Sequence, residues 1–376
     1  MKIVIASDSF KESLSSDGVN SVIEKALLTL RQDIDIVKIM IADGGEGTVD
    51  AVANSIPSEI RELTVTDALG NGKITAKWAL INGGNDAVLE VASVVGLNLV
   101  LPHLRNPFYT TTYGIGELIN NIALTGVKNI YIGLGGSSTN DGASGALKAL
   151  GVKLLDNENK EIENGGYYLS GLKRIDISSM NATIKNINFI LLSDVENILC
   201  GPLGASSVFA PQKGADKEQV ATLDKALLNF QNIIKSDIHK DISNLKGGGA
   251  AGGIGAGFHV FLNAEIRSGI NSILELIQFD KIIEDADLII TGEGKIDNQT
   301  KYGKAISGIC GYAKKLNKPV IAFSALCEGN KEDIKNDVGL KDIFNIVDGN
   351  VTKEMSISNP EKYLFNCVIK HGPEFI

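Results

Sequence analysis

Residues 133–142 read Gly-Leu-Gly-Gly-Ser-Ser-Thr-Asn-Asp-Gly, and they join a predicted strand to a predicted helix. The strand is the apolar run Ile130–Leu134, and apolar residues recur at helical spacing after the glycines. Glycines let backbone N–H groups converge on one point, and a helix N-terminus adds positive potential there. The stretch therefore suits a polyphosphate or a carboxylate. It suits equally well a tight turn in which Asn140 or Asp141 caps the helix.

Two glycine-rich nucleotide motifs are excluded. A dinucleotide fingerprint that starts at Gly133 needs its third glycine at the position that Ser138 occupies. The phosphate-binding loop of many ATPases ends in Gly-Lys-Ser/Thr, whereas Ala305 follows the Gly-Lys pair at 303–304. A nicotinamide-dependent dehydrogenase is therefore disfavoured.

Composition limits the class of protein. A chain of 376 residues favours two domains, and 44% hydrophobic with 22% charged residues is typical of a globular enzyme. A net charge of −9 argues against nucleic acid or an anionic membrane as a partner. The most apolar region, 87–101, is interrupted by polar residues, so we expect no membrane span. The four cysteines form no Cys-x-x-Cys, which predicts reduced thiols in a cytoplasmic protein. Monomer and homodimer both stay open.

Strand and helix patterns alternate at both ends of the chain. Apolar runs at 2–6 and 34–42 flank a helical stripe, which is the rhythm of a doubly wound α/β sheet. The rhythm is lost from 64 to 85, where alternation around Trp78 and Gly-Asn turns predicts antiparallel hairpins. It returns from residue 287 onwards. We therefore predict one domain formed by both chain ends, with the middle inserted and a boundary near residue 66.

Acidic residues follow the ends of several predicted strands. They are Asp8, Asp43, Glu46, Asp194, Glu293 and Asp297. Because parallel strands of one sheet end at a common edge, we expect a crevice rich in carboxylates, which suits Mg²⁺ or a base for a hydroxyl group. Lys11 and Lys213 could supply cations for phosphoryl transfer. Helix caps, first-turn acids and surface lysines are the ordinary alternatives. The four histidines are scattered, which disfavours serine-hydrolase and zinc chemistry.

Nine stretches of the chain resemble the glycerate kinases of the bacterial two-domain family. The matching stretches are 8–15, 42–48, 105–107, 114–119, 133–142, 194–197, 211–215, 250–253 and 291–300. Three positions depart from the family pattern, namely Ser7, Ile115 and Ile198, where proline, threonine and proline are usual. The last fifty residues carry no motif that we can use.

The resemblance implies ATP-dependent phosphorylation of D-glycerate to a 2- or 3-phosphoglycerate, with Mg²⁺, in a cleft between two domains. It implies an α/β fold. Residues 1–66 and 286–376 would form a Rossmann-like or flavodoxin-like domain with a parallel sheet. Residues 67–285 would form an inserted α/β domain with a mixed sheet.

The resemblance and the residue chemistry together suggest a role for each candidate. Asp194 is predicted as the base or hydroxyl orienter, and Lys11 and Lys213 as clamps for the substrate carboxylate or the phosphoryl group. The predicted glycerate contacts are Asp8, Ser9, Asp43, Glu46 and Arg105, with metal-bound water as the alternative partner of Asp43 and Glu46. The predicted contacts to nucleotide phosphates are Gly135, Gly136, Ser137, Ser138, Thr139, Asn140 and Asp141. The predicted Mg²⁺ ligands are Glu293 and Asp297. A kinase of another small hydroxy acid or polyol stays open as an alternative, and so does a non-catalytic protein that binds a phosphorylated metabolite.

Overall fold

A computed structural model describes residues 1–10, 13–297, 300 and 305–376 of the chain. Within them the strands are β1 (Lys2–Ile5), β2 (Asp35–Lys38), β3 (Ser58–Thr66), β4 (Lys73–Ile81), β5 (Asp86–Glu90), β6 (Asn129–Gly133), β7 (Lys153–Leu155), β8 (Arg174–Asp176), β9 (Asn188–Leu192), β10 (Glu265–Arg267), β11 (Leu288–Ile296), β12 (Val320–Cys327) and β13 (Asp342–Asn345). The α-helices are α1 (Ser16–Leu30), α2 (Thr48–Ala53), α3 (Ala92–Val95), α4 (Tyr113–Ala123), α5 (Ser144–Ala149), α6 (Ala205–Phe209), α7 (Lys217–Ile233), α8 (Ala250–Phe261), α9 (Gly269–Leu276), α10 (Phe279–Ile283), α11 (Ala305–Lys315), α12 (Lys331–Val338), α13 (Lys353–Ser358) and α14 (Pro360–His371).

Strands from both ends of the chain form one parallel sheet, in the order β13-β12-β11-β1-β2. Successive residues of β1 point to opposite faces of this sheet, so Ile3 and Ile5 lie in one hydrophobic cluster and Val4 in another. Both faces are therefore covered, as parallel sheets require. The predicted α/β class with a parallel sheet is confirmed.

The middle of the chain forms a mixed sheet, in the order β10-β9-β6-β5-β4-β3. The strands β3, β4 and β5 pair antiparallel, and β5, β6, β9 and β10 pair parallel. The predicted hairpins are confirmed, and Trp78 of β4 is buried in the core of this sheet. A separate hairpin joins β7 and β8.

Residue contacts divide the chain into two compact units. Unit 1 comprises Met1–Asp43, Asp50–Ile56 and Ile270–Ile376, and unit 2 comprises Gly44–Val49 and Pro57–Gly269. The strand β3 pairs with β4 along its full length and so belongs to the mixed sheet. The domain limits given above stay a prediction.

Within the described residues, no helix combines the length and the apolar character needed to cross a lipid bilayer.

Candidate active site

Unit 1 contains a cavity of about 400 Å³ at the carboxyl edge of its parallel sheet. Its lining comprises Asp8, Ser9, Phe10, Ser13, Asp43, Glu293, Gly294, Lys295, Ala305, Ala325, Leu326, Glu328, Val347, Lys353, Ser356 and Ile357. Most of these residues belong to the ends of β11 and β12 or to the turns after strands of this sheet. This edge is where open parallel sheets bind ligands. The structure thus brings together four predicted residues, Asp8, Ser9, Asp43 and Glu293.

The turn after β1 places Asp8 and Ser9 at this cavity. The Asp8 backbone N–H donates to the carbonyl of Gly292 at 2.9 Å, which extends the pairing with β11. One oxygen of Asp8 accepts the Ser9 backbone N–H at 2.6 Å. The Ser7 backbone N–H donates to Asn20 Oδ1 at 3.1 Å. A proline at position 7 has no N–H and could not donate this bond. In this chain the hydrogen bond to Asn20 restrains the backbone at Ser7, where in the family a proline ring would do so.

A threonine joins the two predicted metal ligands. Thr300 Oγ1 donates to Glu293 Oε1 at 2.6 Å and accepts the backbone N–H of Asp297 at 3.1 Å. Lys295 Nζ lies 3.4 Å from Asp297 Oδ2 and 2.7 Å from Glu328 Oε2. The hydrogen bond with Glu328 holds the pKa of Lys295 above its ordinary value.

Carboxylate oxygens are the donors that Mg²⁺ prefers; Glu293 supplies them at the cavity, and Asp297 is joined to Glu293 through Thr300. In the part of the chain that the structure describes, no group of three or more His, Cys, Asp or Glu residues is arranged to hold a metal ion. Mg²⁺ commonly takes only one or two carboxylates and completes its shell with phosphate oxygens and water. The donors therefore fit a magnesium site that a phosphorylated substrate completes.

The glycine-rich loop lies in unit 2, between β6 and α5. The Gly135 backbone N–H donates to the carbonyl of Gly44 at 3.0 Å. A Cβ atom on Gly135 would lie 2.6 Å from Gly45 Cα, so only glycine allows this approach of two backbones. The glycine has a packing role here, whatever ligand the loop binds.

Asn140 and Asp141, at the end of this loop, are buried and donate or accept hydrogen bonds within the protein. Asp141 accepts hydrogen bonds from the backbone N–H groups of Thr112, Ala143 and Gly145 and from the Thr112 hydroxyl, at 2.8–3.2 Å. Asn140 Nδ2 donates to Ser206 Oγ at 2.9 Å. Burial raises the pKa of Asp141, although the hydrogen bonds lower it in part. Asp141 therefore anchors the start of α5 through the Gly145 N–H, although the N-cap residue is Ala143 and not the predicted Asn140 or Asp141.

Lys213 is a buried lysine in unit 2 that contacts the same loop. Its ammonium donates to Ser137 Oγ at 3.0 Å and to the carbonyl of Thr139 at 2.6 Å. The residue is only 2% exposed. Loss of solvation lowers the pKa of Lys213 to about 7, and the nearby Asp141 opposes this shift. Lys213 thus fastens two parts of the loop.

Three further candidates in unit 2 are held by separate local networks. Asp194 Oδ1 accepts from Ser268 Oγ at 2.7 Å and from the Gly269 backbone N–H at 3.0 Å. Asn98 Nδ2 donates to Glu46 Oε1 at 2.9 Å. Arg105 Nε donates to the carbonyl of Val100 at 3.1 Å. The predicted clamp Lys11 lies outside the described residues.

Sequence reasoning missed several lining residues of the cavity. Glu328 directly follows β12, so the rule of acids after strand ends could have found it. Lys353, Ser356 and Ile357 come from α13, in the part of the sequence without a usable motif. They reach the cavity because α13 contacts β12, which no local pattern reveals.

Comparison with known proteins identifies the family. The model of the glycerate kinase family matches residues 3–370. The chain belongs to the glycerate kinase family. Several relatives of this chain are named glycerate kinases, so the predicted enzyme class, a glycerate kinase, is confirmed.

The similar proteins carry related names. The glycerate kinase of Haemophilus influenzae (strain Rd) is 41% identical over 347 residues, which cover 92% of this chain and 91% of that protein. The glycerate 2-kinase of Escherichia coli (strain K12) is 42% identical over 340 residues, which cover 90% and 87%. A crystal structure assigned as glycerate kinase 2 from Salmonella typhimurium LT2 superimposes with a TM-score of 0.83 at 39% identity. This match covers 100% of this chain and 98% of that one.

Proposed function

We propose that the protein transfers a phosphoryl group from ATP to D-glycerate in a reaction assisted by Mg²⁺. The observation that carries this proposal is the cavity of unit 1. In a chain of the glycerate kinase family, it gathers the predicted acids Asp8, Asp43 and Glu293 at the ligand-binding edge of a parallel sheet. We also propose the 2-hydroxyl group as acceptor, because the Escherichia coli relative is named a glycerate 2-kinase.

Phosphoryl transfer needs in-line positioning and stabilisation of charge on the phosphoryl oxygens. Glu293 and Asp297 would hold Mg²⁺, which when bound neutralises part of that charge. Asp8, Ser9 and Asp43 offer acceptors and a hydroxyl donor for the hydroxyl groups of glycerate.

The roles predicted for unit 2 stay proposals. We propose Asp194 as the group that orients the acceptor hydroxyl or accepts its proton. The hydrogen bonds from Ser268 and Gly269 fix this carboxylate in one orientation, which supports such a role. In the glycine-rich loop, burial of residues 137–141 leaves Gly135 and Gly136 as the part that a phosphate can reach from solvent. A location in a cleft between the domains and a cytoplasmic location stay predictions.

The function is tested by ADP release from ATP and Mg²⁺ with D-glycerate, lactate, tartronate and glycerol as acceptors. We expect D-glycerate to give the highest kcat/KM. Faster turnover with another acceptor would favour the alternative of a different hydroxy-acid or polyol kinase. Binding of phosphoglycerate without ADP release from any acceptor would favour the non-catalytic alternative.

Asp194→Asn tests the proposed base, because the amide keeps the shape and one acceptor oxygen but is not basic. We expect kcat to fall about 100-fold or more, while the Kd for ATP stays within about twofold. Wild-type turnover in this variant would remove Asp194 from the mechanism.

A further inference from the structure

We infer that the cavity of unit 1 binds the adenine nucleoside part of ATP on its β12–β13 side. This inference rests on the proposed function and adds a location for one part of the substrate. Its starting point is an uneven distribution of polar and apolar groups along the sheet edge.

The strand order β13-β12-β11-β1-β2 places most of the aliphatic lining residues on one side of β11 and the acids Asp8 and Asp43 on the other. Val347 follows β13, and Ala325 and Leu326 belong to β12. At the other side, Asp8 follows β1 and Asp43 lies beyond β2. Because hydrogen-bonded strands lie about 4.8 Å apart, these groups span much of the sheet edge. The cavity therefore has an apolar side, on which the charged Glu328 and Lys353 also lie, and an acidic side, on which Phe10 also lies, with β11 between them.

The apolar side extends onto α13. Ile357 of this helix lines the cavity, and the helix contacts β12. An aromatic base has two apolar faces that gain from contact with aliphatic side chains, while its edge takes hydrogen bonds. Glycerate is small and polar over its whole surface, so this wall offers it little.

The size of the cavity agrees with this occupant. About 400 Å³ lies within the range of roughly 300–1,000 Å³ that is typical for sites of drug-sized ligands and cofactors. A base against Leu326, Val347 and Ile357 would direct the phosphates towards β11, which carries the predicted metal ligand Glu293. The uncharged part of ATP then lies on the apolar side, and the charged part lies where Mg²⁺ is predicted.

The helix α13 offers a matched pair of substitutions. Ile357 is 49% exposed and lines the cavity. Met355 is 37% exposed and lies two residues earlier on the same helix, outside the described lining. Both side chains are exposed enough to accept aspartate without loss of the fold. Ile357→Asp places a charge against the proposed base site, and Met355→Asp controls for the added charge on the helix.

Two measurements test the inference. Steady-state kinetics give the KM values for ATP and D-glycerate, and saturation-transfer NMR reports binding of adenosine without any turnover. We expect Ile357→Asp to raise the KM for ATP about tenfold or more, and to weaken the adenosine signal. The KM for D-glycerate should stay within about twofold, and Met355→Asp should behave as wild type. Leu326→Ala, which adds no charge, should change the KM for ATP and the adenosine signal in the same directions.

The two proposals fail in different ways. An active kinase whose KM for ATP and adenosine signal are unchanged in Ile357→Asp and Leu326→Ala overturns the nucleoside site and leaves the proposed function intact. Adenosine binding that depends on Ile357, in a protein that phosphorylates no acceptor, supports the nucleoside site and overturns the proposed function. Equal losses in Ile357→Asp and Met355→Asp would also overturn the site, because they would reflect charge on the helix alone.

Discussion

The cavity of unit 1 and the glycine-rich loop of unit 2 look alike in the sequence, since both combine glycines with acids after a strand. In the structure they differ in burial. Asp8 and Asp43 are partly exposed and line an open space. Asp141 is fully buried and accepts four hydrogen bonds from within the protein. Acids that line a cavity can contact a ligand, whereas a fully buried acid that accepts four hydrogen bonds from its surroundings supports the fold.

This contrast predicts opposite effects of substitution in the two regions. Removal of a cavity acid should lower activity and leave the free energy of unfolding nearly unchanged. Removal of a loop acid should lower the free energy of unfolding first, because buried donors then lose their acceptor.

The largest expected effect is on turnover in the cavity. Glu293→Gln keeps the shape and can still accept the hydrogen bond from Thr300, but it removes the negative charge. We expect kcat to fall about 100- to 1,000-fold in assays with saturating Mg²⁺, because charge stabilisation at the phosphoryl group is lost. Urea unfolding should give a midpoint close to that of wild type.

Glu328→Gln is the control for that prediction, since Glu328 lines the same cavity but is exposed and pairs with Lys295. It should keep wild-type turnover to within a few-fold. Wild-type turnover in Glu293→Gln would contradict the proposed difference between cavity acids and loop acids. A loss of activity caused only by unfolding would contradict it as well.

A smaller effect, on stability, is expected in the loop. Asp141→Ala leaves the Thr112 hydroxyl and three buried N–H groups without their acceptor. We expect the free energy of unfolding to fall by about 3 kcal/mol, as measured by urea titration. Asp156 accepts two backbone N–H groups in a partly exposed turn, so Asp156→Ala should cost about 1 kcal/mol or less. Equal losses in the two variants would refute the structural role of Asp141.

A further effect concerns the pH dependence of stability at Lys213, and it is small between neighbouring pH values. Its pKa falls from 10.5 to about 7 on folding, so between these values the unfolded chain binds a proton that the folded protein lacks. The contribution of Lys213 to stability therefore rises with pH across this window, by at most about 1.4 kcal/mol per pH unit. Urea titrations of wild type and Lys213→Met at several pH values should show wild type gaining relative to the variant. If the free energies of unfolding of wild type and Lys213→Met change with pH in parallel, Lys213 keeps its proton in the folded protein.

Local sequence patterns were sufficient for the parallel sheet and for the acids at its edge, because strand period and strand ends are local features. They could not separate the cavity acids from Asp141, whose partner Thr112 lies 29 residues earlier in the chain. They also could not place Ile357 at the cavity, since only the packing of α13 brings it there. Ser7 shows the same limit. Its backbone N–H donates to the side chain of Asn20, and the position of Asn20 depends on the packing of α1 and not on the residues next to Ser7.

Proton-coupled phosphorus NMR of the product from D-glycerate, ATP and Mg²⁺ tests the central claim most directly. The account predicts a phosphomonoester resonance split into a doublet by the single proton on C2, together with ADP. A triplet from the two protons on C3 would contradict the proposed 2-hydroxyl acceptor. Absence of any phosphomonoester signal, with folded protein and saturating ATP and Mg²⁺, would contradict the proposed kinase activity itself.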